Sequence, residues 1–375
     1  MQTLRRGLRA SILLGLTAAT VMASPAVHDC ANSPEWIPAL RAELTARTAD
    51  DRFSGTVLIA RHGRPVFQAA YGKADRERGI QNRLNTRLRF GSLGKMFTGV
   101  AVMQLVQAGK VRLDDPLSNY LPEYPNRDVA AVTIHQLLTH TAGTGDIFGP
   151  EFDAHRLQLK RLRDYVDRYG NRGLKFPPGS RFDYSNYGYI LLGRVIEEVS
   201  GESYTTYVRN HIFRPAGMLS TDNLPEDQPV RDRAISYTAM SDPGQPPAQV
   251  PLHSAAGLLP YGGTSAGGGY STVGDLLRFA NALNAYRLLQ PYYTDLMLIG
   301  KVPTTKLGTQ YAYGFEDSRT PDGTRFIGHG GGGPGQNAVL SILPDSGYVV
   351  VALANLDPPA AEEVERIIRA RLLQH

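Results

Sequence analysis

The sequence predicts an α+β protein whose single antiparallel sheet is built from both ends of the chain, with a helical lobe inserted between them. Two observations lead to this arrangement. Strand patterns with alternating hydrophobicity cluster near the two ends, whereas helical patterns fill the middle of the chain. Helical spacing at residues 34–50 and 361–373 adds a helix at each terminus, and we expect these terminal helices to flank the sheet.

The first elements are a helix, a hairpin and a buried helix. Trp36, Leu40 and Leu44 recur at helical spacing and mark the inner face of the first helix. Residues 53–71 alternate in hydrophobicity on both sides of a polar turn, as in a β-hairpin. Residues 95–108 then form a helix that is apolar on nearly every side, which is typical of a buried helix.

Further helices and the last strands follow in the same way. Residues 189–199 and 273–283 are the clearest helical segments of the middle region. The remaining strands are predicted near the end of the chain, at residues 325–328, 338–343 and 348–353. A turn at 345–347 joins the last two strands into a hairpin.

The first 23 residues are typical of an export signal. Arg5, Arg6 and Arg9 form a positive n-region, residues 11–21 are apolar or small, and a cleavage site fits after Ala23. Because this run is short for a bilayer span, we expect removal of residues 1–23, no stable membrane anchor, and a periplasmic or secreted protein. Residues 24–375 are expected to form one unit. Its sheet lobe comprises residues of about 34–90 and 291–375, and its helical lobe residues of about 91–290.

Charge and cysteine content exclude several classes of function. The 375 residues include 40 Lys and Arg against 35 Asp and Glu, and loss of the three signal arginines leaves 37 against 35. The mature chain is therefore nearly neutral and has no basic block that would bind nucleic acid. Cys30 is the only cysteine, which excludes an internal disulfide and a metal site made of clustered cysteines.

Ser92 and Lys95 form the first chemically informative pattern, at the start of the apolar helix. Side chains three residues apart share a helix face, so the lysine amine can reach the serine hydroxyl. The helix N-terminus stabilises negative charge, and burial lowers the pKa of a lysine toward neutrality. A nucleophile with its base fits this pair, but a helix-capping serine beside a snorkelling lysine fits it equally well.

Tyr184 and Asn186 form the second pattern, in a polar loop before a predicted helix. A phenol near a cation can act as an acid or a base, and an amide can hold a substrate carbonyl. The chain has 19 tyrosines, so an ordinary loop in which Asn186 caps the helix explains this pattern as well.

His329 and the four glycines that follow it form the third pattern. Consecutive glycines in a strand allow another group to approach the backbone closely. A phosphate-binding loop is disfavoured because the segment has no GK[ST] sequence and no strand-to-helix step. A tight surface turn is the simpler interpretation of this segment by itself.

Two other patterns compete for the chemistry. Residues 263–267 read G-T-S-A-G around Ser265, but no strand leads into them, and the His-Gly segment that would act as an oxyanion loop follows rather than precedes them. His135 and His140 lie five residues apart, on different helix faces, and no carboxylate stands at ligand spacing. We interpret both histidines as structural and expect no metal site.

The order of the three patterns and their surroundings resembles the serine β-lactamase and DD-peptidase superfamily. The resemblance is to its class C and D-alanyl-D-alanine carboxypeptidase-like branch, with related esterases and D-aminopeptidases, and runs from about Phe53 to Leu356. Five further blocks stand in the same order, at residues 86–98, 113–116, 133–143 (TIHQLLTHTAG), 213–218 (FRPAGM) and 269–279 (GYSTVGDLLRF). So many ordered blocks make the match specific.

The resemblance implies a two-lobed, β-lactamase/transpeptidase-like catalytic unit with the active site between the lobes and no cofactor. By motif, Ser92 matches the nucleophile, and Lys95 and Tyr184 match its proton-transfer partners. Asn186 matches the amide that orients the substrate. Such a protein is a serine hydrolase that acts through an acyl-enzyme on a small-molecule or peptide substrate, and which of Lys95 and Tyr184 is the general base stays open.

The third motif departs from that of dedicated β-lactamases. His329, Gly330 and Gly331 match its substrate-binding positions, and the backbone N–H groups of Ser92 and Gly332 match the oxyanion hole. Dedicated β-lactamases have Lys-Thr-Gly or Lys-Ser-Gly here, and loss of the charge and the hydroxyl removes two contacts to a substrate carboxylate. We therefore expect peptide or ester hydrolysis ahead of efficient β-lactam hydrolysis. The alternative from another class is a non-catalytic relative that binds peptides or a partner.

Overall fold

The structure is a computed structural model, which describes residues 35–241 and 249–373. The predicted signal segment 1–23 and Cys30 lie outside the described residues. Within 35–241 and 249–373, no helix is long and apolar enough to cross a membrane.

The described α-helices range in length from a single turn to about four turns. They are α1 (Ile37–Ala49), α2 (Gly94–Gln107), α3 (Arg127–Ala130), α4 (Ile134–Leu138), α5 (Pro150–His155), α6 (Leu162–Tyr169), α7 (Asn186–Ser200), α8 (Tyr204–Val208), α9 (Arg214–Ala216), α10 (Val273–Asn284), α11 (Pro291–Leu298) and α12 (Ala360–Leu372). A short helical turn, Gly91–Leu93, leads directly into α2.

The described strands are concentrated at the two ends of the chain. They are β1 (Gly55–Arg61), β2 (Arg64–Tyr71), β3 (Lys73–Asp75), β4 (Ile80–Gln81), β5 (Leu88–Arg89), β6 (Tyr237–Met240), β7 (Gln249–Ser254), β8 (Tyr270–Ser271), β9 (Val302–Pro303), β10 (Thr309–Tyr311), β11 (Glu316–Arg319), β12 (Arg325–Gly333), β13 (Gln336–Leu343) and β14 (Tyr348–Ala354).

One eight-stranded sheet contains strands from both ends, in the order β2-β1-β14-β13-β12-β11-β10-β9. All of its neighbouring strands are antiparallel. The first hairpin pairs with the last strand of the chain, so that Gly55 lies opposite Ala354. The predicted α+β class and the sheet built from both termini are confirmed.

The two faces of the sheet are covered by different helices. Along β14, Val349 and Val351 contribute to the core shared with α2 and α7, whereas Val350 and Ala352 contribute to the core shared with α1 and α12. Full burial of a valine or leucine side chain stabilises the fold by about 1.5–3 kcal/mol. Both terminal helices therefore cover the same face of the sheet, and the other face carries the functional site.

Helix α2 is the centre of the core that it shares with α7. Every residue from Gly94 to Met103 is buried, as the apolar composition of this segment predicts. The ring of Phe97 lies edge-on against Phe213 and Phe279, with centroid distances of 5.0 and 4.9 Å. This packing fixes the position of α2 and of the turn that precedes it.

The structure corrects the predicted end of one strand. β12 continues to Gly333 rather than ending at Gly328, and its ladder with β13 pairs Gly332 with Asn337. Glycine has a low strand propensity, so the sequence pattern ends where the glycines begin. The short strands β6, β7, β9, β10 and β11 are absent from the prediction for a related reason, since runs of two to six residues carry little periodicity.

Helix α7 also differs from the prediction in its first turn. It begins at Asn186 rather than Tyr189. The cap is Ser185, whose hydroxyl accepts the N–H of Gly188 at 2.9 Å, rather than Asn186. The side chain of Asn186 is therefore available for a different contact.

Candidate active site

Ser92 lies in the helical turn before α2, where strand β12 runs alongside. Gly91 has φ of 51°, and a Cβ placed there would lie 3.0 Å from the backbone N of Gly332. A Cβ on Gly331 would lie 2.2 Å from the carbonyl oxygen of Phe90. Side chains at these two positions would push the turn and the strand apart, so the glycines keep the backbones of Ser92 and β12 adjacent.

Lys95 is fully buried, with 0% of the residue exposed. Its Nζ lies 3.3 Å from Oγ of Ser92 and 2.7 Å from both Oδ1 of Asn186 and the carbonyl oxygen of Ala266. Burial lowers the pKa of Lys95 from 10.5 to about 7, and the charge of Asp146 offsets part of this effect. The neutral amine and the ammonium are therefore both populated near pH 7.

The contacts of Lys95 suit both protonation states. The ammonium donates its three N–H groups to Oγ of Ser92, Oδ1 of Asn186 and the carbonyl oxygen of Ala266. After loss of one proton, the neutral amine keeps two N–H groups for the two carbonyl oxygens. Its lone pair is then left for the hydroxyl of Ser92, which can donate its proton across the 3.3 Å separation. The arrangement can therefore deprotonate Ser92.

The phenol ring of Tyr184 lies beside the same amine. Nζ of Lys95 is 4.7 Å from the centre of the Tyr184 ring. Burial raises the pKa of Tyr184 well above its usual value, and a hydrogen bond with Ser92 offsets part of the rise. The phenol is consequently protonated at neutral pH and can serve as a proton donor beside Ser92.

Asn186 is held in one orientation by a residue to which the sequence assigns no role. Asp146, in the loop before α5, accepts the backbone N–H of Asn186 at 3.0 Å and its Nδ2 at 3.1 Å. Because Nδ2 donates to Asp146, Oδ1 is directed to Lys95. Sequence reasoning assigns Asp146 no specific role, because the contact joins segments that are 40 residues apart along the chain.

His140 fixes the backbone on both sides of Tyr184. Its carbonyl oxygen accepts the N–H of Asp183 at 2.9 Å, and its Nδ1 accepts the N–H of Ser185 at 3.0 Å. The imidazole also stacks on the Tyr184 ring, with centroids 4.3 Å apart. Burial holds the pKa of His140 well below its usual value, so the ring is neutral and Nδ1 can accept.

His135 has a separate and simpler environment. Its Nδ1 lies 2.8 Å from the hydroxyl of Tyr313, and the two rings meet edge-on. Neither His135 nor His140 belongs to a group of three or more metal-binding side chains among the described residues. Their contacts are those of structural histidines.

His329 faces the site from β12. Its Nδ1 donates to the carbonyl oxygen of Gly330, so Nε2 accepts from the hydroxyl of Tyr311 at 3.0 Å. Burial lowers the pKa of His329 to about 4, although the charge of Glu316 opposes this change. The ring is therefore neutral at pH 7 and supplies no fixed positive charge to a substrate.

The competing serine, Ser265, is buried away from the site. It is 0% exposed, and a Cβ on Gly193 would lie 2.2 Å from its Oγ, which places that hydroxyl against α7. Its carbonyl oxygen accepts from Thr98 at 2.7 Å. The G-T-S-A-G segment thus serves the site through the carbonyl of Ala266, which accepts from Lys95.

Two cavities of different character meet at Ser92. The larger, of about 620 Å³, we call the apolar cavity; its walls include Ile147, Phe152, Tyr165, Leu258, Leu259 and Pro334. The smaller, of about 310 Å³, we call the polar cavity; its walls include Tyr184, Lys306, Glu316, His329 and Glu362. Ser92 and Gly332 line both, so a scissile carbonyl at Ser92 would have one substituent in each cavity.

The residues predicted from the three sequence patterns therefore come together at one place. Ser92, Lys95, Tyr184 and Asn186 contact one another directly or through Lys95. The strand residues line the polar cavity next to them and are His329, Gly330, Gly331 and Gly332.

Comparison with known proteins gives a family for this arrangement. The family model described as Beta-lactamase matches residues 40–375. PbpX of Bacillus subtilis is 40% identical over 172 residues, which are 44% of this chain and 40% of that protein's length. The chain thus spans less than half of this curated relative.

Two solved structures match over most of their length. The penicillin-binding protein from Bacillus halodurans is 34% identical with a TM-score of 0.77, and the match covers 87% of this chain and 98% of that one. A D-stereospecific amidohydrolase from Streptomyces sp. is 26% identical with a TM-score of 0.73, and the match covers 87% and 96%.

Proposed function

The chain belongs to the beta-lactamase family and is a serine hydrolase of amide or ester bonds, and we propose that it works through an acyl-enzyme formed on Ser92. The observation that carries this proposal is the buried amine of Lys95, which lies 3.3 Å from Oγ of Ser92 and has a pKa of about 7. A lysine in this state is available as a neutral base under ordinary conditions.

In the proposed acylation, Oγ of Ser92 attacks the substrate carbonyl carbon while its proton passes to Nζ of Lys95. The backbone N–H groups of Ser92 and Gly332 stabilise the resulting oxyanion, an effect worth about 3–4 kcal/mol per donor in hydrolases of this kind. When the carbon–leaving-group bond breaks, the leaving group takes a proton from the phenol of Tyr184, which recovers one from the Lys95 ammonium. Tyr184 lines the polar cavity, so the leaving group departs on that side.

Deacylation uses the amine of Lys95 a second time. Water attacks the acyl carbon and gives its proton to the neutral amine of Lys95. The bond to Oγ of Ser92 then breaks, and Oγ regains a proton from the ammonium. Asn186, held by Asp146, keeps the amine aligned by accepting one of its N–H groups in both steps.

Lys95 rather than Tyr184 is the proposed general base. Burial moves the two pKa values in opposite directions, toward neutrality for Lys95 and away from it for Tyr184. At pH 7 the amine is partly neutral, whereas the phenol holds its proton. This assignment leaves Tyr184 as the relay to the leaving group.

Peptide or ester bonds are the proposed substrates, ahead of β-lactams. His329 is neutral with a pKa of about 4, and Lys306 in the same cavity is paired with Glu316 at 2.7 Å. A carboxylate on the leaving-group side would therefore meet no unpaired cation among the described residues of that cavity. The name of the Streptomyces relative, a D-stereospecific amidohydrolase, also supports an amide substrate.

Export is part of the proposal. The positive and apolar pattern of residues 1–23 supports an export signal, and relatives among the penicillin-binding proteins support a periplasmic or secreted site of action. Residues 24–375 would then be the catalytic unit, with the sheet lobe and helical lobe divided near residues 91 and 290.

The test is a comparison of Ser92→Ala with Ser265→Ala. Both variants and the wild type are treated with a fluorophosphonate probe, followed by intact mass measurement, and are assayed on a p-nitrophenyl ester, a D-Ala-D-Ala peptide and a chromogenic cephalosporin. We expect one adduct on the wild type and on Ser265→Ala and none on Ser92→Ala. An adduct that persists in Ser92→Ala contradicts the mechanism, and fastest turnover of the cephalosporin contradicts the substrate preference.

A further inference from the structure

We propose that Asp153 makes the apolar cavity selective for an acyl group that carries an ammonium. This inference rests on the proposed function of Ser92 and extends it to the substrate. It concerns the half of the substrate that stays on the enzyme in the acyl-enzyme, and it assigns one side chain to its recognition.

The first step is the placement of the acyl group. Tyr184, which passes a proton to the leaving group, lines the polar cavity and not the apolar one. The leaving group therefore occupies the polar cavity. The acyl group extends from Ser92 in the opposite direction, into the apolar cavity of about 620 Å³, which is large enough for a side chain of aromatic size.

The second step is the charge inside that cavity. Among the described residues that line this cavity, Asp153 is the only Asp, Glu, Lys, Arg or His. The other walls are apolar or aromatic, among them Phe152 and Tyr165. A lone carboxylate in such surroundings attracts a cation, and the neighbouring aromatic rings favour the same charge.

The third step is that no protein group already pairs with this carboxylate. Asp153 is partly buried on α5. Among the described residues, its carboxylate accepts no hydrogen bond and forms no ion pair; Arg156 bonds only to the Asp153 backbone carbonyl. On the same helix, Glu151 pairs with Arg168 and Arg172 instead. An unpaired carboxylate on a cavity wall loses part of its hydration. A charge-assisted hydrogen bond from a bound ammonium would compensate for that loss.

The ammonium can come from an α-amino group or from the end of a longer side chain. The chemistry at Asp153 is the same in both cases, a charge-assisted hydrogen bond from nitrogen to carboxylate. Two pairs of p-nitrophenyl esters distinguish them. The first pair is phenylalanyl, in both enantiomers, against 3-phenylpropanoyl; the second is 6-aminohexanoyl against heptanoyl.

The experiment measures kcat/KM for both pairs on the wild type, Asp153→Asn and Glu151→Gln. An ammonium also changes the intrinsic reactivity of an ester, so the quantity compared is the cationic-to-neutral ratio in each protein. We expect this ratio to fall roughly tenfold in Asp153→Asn for at least one pair, as for loss of one charge-assisted hydrogen bond. Glu151→Gln removes the same charge from the same helix and should leave the ratio unchanged.

The outcomes separate this inference from the proposed function. Ser92→Ala serves as the blank, and ester hydrolysis that persists in it refutes Ser92 as nucleophile without touching Asp153. If Ser92→Ala is inactive and the cationic-to-neutral ratio of both pairs is the same in the wild type and Asp153→Asn, the role of Asp153 is refuted. An equal fall in Asp153→Asn and Glu151→Gln refutes it too, because the effect is then not specific to the cavity.

Discussion

Lys95 and His329 are two buried bases near Ser92, and burial has opposite consequences for their chemistry. It lowers the pKa of Lys95 from 10.5 to about 7 and that of His329 from 6.5 to about 4. The pKa of the lysine, which is ordinarily far above 7, falls to a value at which the amine can exchange a proton at neutral pH. The histidine, whose ordinary pKa is already near neutrality, becomes a hydrogen-bonding group that is neutral at pH 7.

The comparison teaches that desolvation alone does not define a catalytic base. The ordinary pKa of a group decides where the same burial leaves it. The contacts agree with this division, because Nζ of Lys95 reaches Ser92, whereas both nitrogens of His329 are engaged by Tyr311 and the backbone of Gly330. In the proposed mechanism Lys95 moves a proton, whereas His329 only makes hydrogen bonds with Tyr311 and its own strand.

The largest expected effect comes from removing the titrating member of this pair. Lys95→Met should lower kcat/KM for a p-nitrophenyl ester by about 10²–10⁴-fold, the usual contribution of a general base. Lys95→Arg should not restore activity, since arginine stays protonated. His329→Gln keeps hydrogen-bonding groups without a titrating nitrogen and should cost far less.

Lys160→Met is the control for this prediction, because Lys160 is exposed, stacks on Tyr261 and lines neither of the two cavities at Ser92. It should retain wild-type kcat/KM. If His329→Gln loses as much activity as Lys95→Met while both remain folded by circular dichroism, the two buried bases are not functionally different.

The local part of the site can be predicted from the sequence. Ser92 and Lys95 are three residues apart, and Tyr184 and Asn186 are two apart, so helix geometry and chain proximity already bring each pair together. The alternating strands at both ends likewise predict the sheet. These are signals that a short window of sequence contains.

The remaining contacts depend on tertiary packing. Asp146 meets Asn186, and the carbonyl of Ala266 meets Lys95, across 40 and 171 residues of chain. No periodicity marks such partners, and the role of Ala266 lies in its backbone, which any residue could supply. The same holds for Asp153, which is one of many acids until the cavity around it is known.

The second prediction tests a histidine that acts only through position. His140 holds the backbone on both sides of Tyr184, so His140→Leu should displace the phenol and lower kcat by up to about 10²-fold, as small misplacements of catalytic groups do. His140→Asn should retain most of the activity, because an amide oxygen can accept the N–H of Ser185 and asparagine tolerates the φ of 59° found here.

Steady-state kinetics and thermal unfolding distinguish this role from a purely structural one. Rescue of kcat by His140→Asn, with KM little changed throughout the series, supports positioning of Tyr184. Parallel losses of melting temperature and kcat in both variants would instead show that His140 serves only the stability of the fold.

The smallest expected effect is a shift in pH dependence that sharpens the comparison between the two bases. Because the active form of Lys95 is neutral, kcat/KM of the wild type should rise with pH through about 7. The charge of Asp146 stabilises the Lys95 ammonium and so raises its pKa. In Asp146→Asn the pKa of Lys95 should be lower, and the rising limb of the kcat/KM profile should move to lower pH even if looser positioning of Asn186 reduces the plateau.

Asp128 is an exposed acid on α3, and Asp128→Asn should leave the midpoint of the profile in place. A midpoint that moves to higher pH in Asp146→Asn, or one near 4 in the wild type, would mean that Lys95 is not the group whose ionisation controls acylation.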